Sequence, residues 1–78
     1  GPAADAEARL RRALDVTRRR GGLALTLRAA TSLARFWTST GDATGARGLL
    51  GPVYARFTEG LDTPDLVEAR AVLDALGG

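Results

Sequence analysis

The chain of 78 residues contains no histidine, cysteine, lysine, methionine, asparagine, glutamine or isoleucine. Each absence closes a class of chemistry. Without His or Cys there is no ordinary zinc site, no thiol nucleophile and no disulfide scaffold. Without Lys there is neither a phosphate-loop lysine nor a Schiff-base amine. The two serines, Ser32 and Ser39, have no histidine or lysine to activate them. Glu59, Asp62 and Asp65 cluster near a loop, where capping and solvation account for them. Paired-carboxylate chemistry would need a pocket that so small a bundle is not expected to hold. The expectation is therefore no enzyme, with no catalytic residue, cofactor or metal. No apolar run approaches the roughly 18 residues of a membrane span, and no signal-peptide pattern is present. A soluble cytoplasmic module without membrane contact is the default expectation.

What is present is arginine and small apolar residues. Hydrophobic residues make up 45% of the chain, enough for a core, and Ala, Leu and Val supply nearly all of it. Eleven arginines against nine acids leave a net charge of +2. The distribution is uneven: residues 1–40 hold eight Arg and three acids, residues 41–78 three Arg and six acids. Such polarity suits nucleic acid, an acidic partner, or head-to-tail contact between copies of the chain. Gly1-Pro2 reads as the remnant of a cleaved tag, so one helical domain is expected over 3–78.

Four helical segments are expected, over about 3–20, 23–40, 43–57 and 64–76. In the first, Ala6, Leu10, Ala13, Leu14 and Thr17 recur at helical spacing. Glu7 and Arg11, like Asp15 and Arg19, stand four apart with the acid first, the better order for a helical ion pair. Gly21-Gly22 then stops the helix. The second segment has so broad an apolar arc, from Leu23 through Leu33 to Trp37, that it must touch neighbours on several sides. It is the central helix. Gly41 ends it, and Asp42 is the expected N-cap of the third. There Ala46, Leu49, Leu50, Val53 and Phe57 share a stripe that keeps its phase across Pro52, which predicts a kink rather than a clean break. In "DTPDLVEAR", Thr63 is the expected N-cap, Pro64 suits the first helical position, and Asp65 and Glu68 favour the N-terminal dipole. Leu66, Ala69, Leu73 and Leu76 form the last stripe.

The central pair resembles a tetratricopeptide repeat (TPR). Leu33, Ala34, Trp37, Gly41, Ala46 and Leu50 fall in register on that family's pattern of large, small, aromatic and turn positions. Ala30 stands where the family usually has tryptophan, and Thr58 where it usually has proline. Ala6, Leu10 and Ala13 match Ala46, Leu50 and Val53 at an offset of 40 residues, longer than the usual repeat of about 34. The stretches "RALDVTRRRGGLALTLRAATSLARFW", "GARGLLGPVYARFTEGLDTPDL" and "EARAVLDAL" are similar to the C-terminal repeats of large bacterial ATPase-type regulators, many of which carry cyclase or DNA-binding domains upstream. The resemblance implies an all-α array of antiparallel, TPR-like hairpins. It further implies a protein–protein interaction or structural module, the capping repeats of a bacterial signalling or regulatory protein. It does not imply ATPase or cyclase activity.

Trp37 is expected to fill the core between the second and third helices rather than to stack a ligand. The first-helix groove positions of the TPR family fall on Arg28, Thr31, Arg35 and Thr38. They form a polar, positive strip suited to carboxylates, and the partners it suggests are an acidic peptide, another protein, or upstream domains of the same chain. A fragment of about one and a half repeats leans on its terminal helix as a cap or associates with copies of itself. The alternative class is a basic helical nucleic-acid-binding domain, resting on Arg9, Arg11, Arg12, Arg18, Arg19 and Arg20. Glu7 and Asp15 neutralise part of that cluster and no aromatics interleave for base stacking, which weighs against it.

Overall fold

The computed structural model describes residues 1–77, and all regular structure among them is helical. Helix α1 spans Pro2–Val16, α2 Gly22–Ser39, α3 Ala43–Ala55 and α4 Pro64–Ala75. Two tertiary contacts and one short turn give the directions. Glu7, near the start of α1, bonds Trp37, near the end of α2, so these two helices are antiparallel. Between α2 and α3 lie only Thr40, Gly41 and Asp42, which forces a hairpin. Arg47, early in α3, donates to the carbonyl of Leu76 just past the end of α4 at 2.8 Å, so α3 and α4 are antiparallel too. The chain runs up, down, up, down.

Helix α2 is the centre. It packs on each of the other three, whereas no Cα of α1 lies within 8 Å of α3 or α4 among the described residues. The broad apolar arc of α2 is the cause. Leu27, Ala30, Leu33 and Ala34 are all buried on it. Leu50 and Ala46 answer from α3, and Leu66, Ala69, Val72 and Leu73 from α4. Helix α1 contributes only Leu14 as a fully buried residue, with Leu10 half-buried beside it and Ala13 exposed. The N-terminal helix is thus the least anchored.

The ends of the helices follow local chemistry, with three departures from expectation. The first helix does not continue to Arg20 in α form. It widens into a π turn over Thr17–Gly21, a loosened geometry with one more residue per hydrogen-bonded ring. Gly22 follows at φ 79°, ψ 178°, a region essentially closed to residues with a Cβ. That pair of torsions turns the chain into α2. Asp42 caps α3 as expected, accepting from the Gly45 N–H at 2.9 Å. Thr63 occupies the N-cap position of α4, but its hydroxyl makes no capping bond. Its carbonyl alone enters the helix, accepting from Val67 at 2.9 Å.

Pro52 lies inside α3, which runs unbroken from Ala43 to Ala55 and ends two residues before the expected Phe57. The neighbours of the proline explain its tolerance. A helical residue before proline suffers a clash between its Cβ and the proline ring, and Gly51 has no Cβ. Gly48 supplies the carbonyl left without a donor. A Cβ added at Gly48 or Gly51 would meet nothing within 4 Å outside the local chain. Gly48→Ala is therefore expected to stabilise the domain by roughly 0.5–1 kcal/mol. Gly51→Ala should gain less, because it restores the clash with Pro52. Thermal melts of the two variants side by side check the order, and a Gly51→Ala gain equal to that of Gly48→Ala would refute it.

Candidate functional site

The strip on α2 is built by helical spacing. Arg28 and Arg35 are seven residues apart, two turns or about 10.5 Å along the axis. Both project toward α4, and each meets a carboxylate there. Arg28 Nε lies 3.8 Å from Asp65 Oδ2, and Arg35 Nη2 lies 2.9 Å from Glu68 Oε1. The earlier arginine pairs with the earlier acid and the later with the later, so α4 runs in the same sense as α2. The acids are only three residues apart, about 4.5 Å, so the two arginine side chains converge on them.

These pairs are exposed. The side chains of Arg35 and Glu68 keep 57% and 47% of their surface in solvent. Pairs of that kind contribute at most about 1 kcal/mol each. Their value is directional: like charges facing each other here would oppose the docking that Leu66, Ala69, Val72 and Leu73 drive.

The two threonines of the strip play other parts. Thr31 is buried at 2% exposure, and its hydroxyl donates to the Leu27 carbonyl at 2.8 Å. It belongs to the core rather than to an open surface. Thr38 is exposed and donates to the Ala34 carbonyl at 2.8 Å. Beside it, Arg35 and Thr38 border a shallow notch of about 280 Å³ against Ala71, Val72 and Ala75 of α4. The four residues therefore do not form one continuous open strip. The two arginines are paired within the chain but keep most of their side-chain surface in solvent, whereas Thr31 is internal. Asp65 and Glu68, placed by sequence to favour the dipole of their own helix, also serve this tertiary role.

Trp37 differs from expectation in a similar way. Its indole is half-buried against the core and meets α1. Nε1 donates to Glu7 Oε1 at 2.6 Å. The guanidinium of Arg11 stands over the ring, 5.1 Å from its centroid, within cation–π range. Glu7 also pairs with Arg11 at 3.6 Å, so the pair foreseen from i, i+4 spacing serves as a clamp on the tryptophan. The expected Asp15–Arg19 pair forms as well, at 3.2 Å. Thus two members of the basic cluster, Arg11 and Arg19, are neutralised on their own helix, which thins the positive face that a nucleic-acid reading requires.

Among the described residues, no three His, Cys, Asp or Glu side chains are grouped to hold a metal, and no buried side-chain nitrogen or oxygen lacks a hydrogen-bond partner. Among the described residues, no helix is long and apolar enough to cross a membrane. No protein-family model, curated protein or solved structure matches this chain.

Proposed function

We propose that this chain is a protein–protein interaction or structural module: the closing repeats of a TPR-like helical array in a larger bacterial signalling or regulatory protein. One observation carries the reading. Helix α4 lies on α2 in the same sense, with α3 returning between them and ion pairs joining both arginines to α4. Successive first helices of a repeat array stand in this relation. On this reading α1 is the second helix of the preceding repeat and α4 the first helix of the next. It lies where an acidic peptide would otherwise meet Arg28 and Arg35, so the chain supplies that ligand chemistry itself, as a capping helix would. The resemblance to bacterial ATPase-type regulators supplies the cellular setting.

The under-anchored α1 gives the test. A repeat array buries each helical face on the next, and stability rises with every repeat added. Placing a second copy of residues 22–42 directly ahead of Ala3 recreates the α2 sequence and its turn before α1, in the same register as before α3. The added helix is expected to dock on α1, raise the thermal midpoint by several degrees and slow amide exchange across α1. An added segment that exchanges freely, with an unchanged melt, would rule out the array reading.

A further inference from the structure

Because α1 and α3 both lean on α2 without approaching each other, a cleft opens between them. Leu33 and Trp37 from α2, Leu14 from α1 and Leu49 from α3 line it together with charged side chains of the first helix, around about 420 Å³. A second hollow of about 440 Å³ continues it toward the start of α2, over Leu23, Pro52 and Val53. Arg18 borders both hollows, so the two adjoin along one groove-like face. Its rim is basic, with Arg11, Arg12 and Arg18 along the first hollow and Arg56 at the second. The one acid on that rim, Asp15, is held by Arg19. Among the described residues, Arg12, Arg18 and Arg56 have no carboxylate within 4 Å. Such a groove fits an occupant that presents an apolar side chain flanked by carboxylates.

The chain carries such an element elsewhere. The loop joining α3 to α4 projects Leu61, 47% exposed, between Glu59 and Asp62. Neither acid has a cationic partner within 4 Å among the described residues. Gly60, at φ 68°, turns the loop just before Leu61. A large exposed leucine between two free acids matches the groove in both polarity and charge. We propose that the groove between α1 and α3 takes the α3–α4 loop of a second copy of this chain, with Leu61 on the leucines that line it and Glu59 and Asp62 against Arg12, Arg18 and Arg56. This face lies apart from the α2–α4 contact, so the proposal goes beyond the array reading and can fail without it.

Two charge-reversal variants test the contact: Arg18→Glu/Arg56→Glu in the groove, and Glu59→Arg/Asp62→Arg in the loop. All four side chains are exposed and unpaired, so both variants should keep the wild-type helical circular dichroism. Light scattering of the wild type, from about 10 µM to about 1 mM in about 50 mM salt, is expected to show mass rising with concentration. Each variant alone should associate at least about tenfold more weakly. An equimolar mixture of the two should regain association, because the acidic loop of one meets the basic groove of the other. A wild type that stays monomeric across the range would overturn the proposal. So would association that both variants retain, or a mixture no stronger than its components. If the monomeric wild type instead captured a synthetic amphipathic helix rich in Glu and Leu, the groove would belong to a foreign acidic partner.

Discussion

Leu50→Ala is expected to remove about 3.5–5 kcal/mol of the domain's folding free energy, a large share of the whole. Leu50 is fully buried on α3, one of the three largest side chains to be so. Truncating a leucine in such a position costs about 2–5 kcal/mol, the sum of lost transfer energy and the cavity left behind. Part of the core has no side chain that could relax into that cavity. Ala30, Ala34, Ala46 and Ala69 are all wholly buried, and an alanine has no rotamer with which to fill space. The upper half of the range is therefore expected. A domain of this length has roughly 4–12 kcal/mol to lose at 0.05–0.15 kcal/mol per residue. Urea titrations followed by circular dichroism measure the effect. Leu61→Ala, on the exposed loop, is the control and should fall within about 0.5 kcal/mol of wild type. A Leu50→Ala cost under about 1.5 kcal/mol would mean that the helices can collapse onto the gap, and would refute the expectation.

The opposite substitution is expected to be damaging for the same reason. Ala34→Leu adds three carbons at a position with no accessible surface, on the helix that touches every other. Overpacking of this kind costs about 1–3 kcal/mol and often more where the backbone must move. Here there is little alternative, since α2 cannot yield on one side without pressing on another. The variant should remain helical yet lose its sharp thermal transition. Amide exchange is the discriminating measurement: α2, α3 and α4 should all lose protection together. Loss confined to one helix would show that Ala34 serves a single contact.

These two positions also show what the sequence makes legible. The small residues at 34 and 46, the leucines at 33 and 50 and the turn at Gly41 follow from helical periodicity, and the burial of each agrees. Asp42 was readable as a cap because capping is local, three residues from donor to acceptor. The partners of Arg28, Arg35 and Trp37 were not readable. They lie 37, 33 and 30 residues away along the chain, and no periodicity reports which charged side chains meet across a helix crossing. Thr31 misled for a different reason. A threonine on a polar face can return its hydroxyl to the preceding turn and become core, as Thr31 does on Leu27. The π turn escaped notice because "TRRRGG" has no pattern that separates a widened turn from an ordinary α-helical end.

The clamp on Trp37 has a spectroscopic consequence. As the chain's one tryptophan, it sits at the junction of α1 with α2, its indole N–H on a carboxylate and its face under a guanidinium. Its emission is thereby tied to the docking of a single helix, the one with the fewest buried residues. Far-ultraviolet dichroism sums over all four helices. Recorded together during denaturation, the two signals separate detachment of α1 from collapse of the α2–α3–α4 core, with no label attached to the protein.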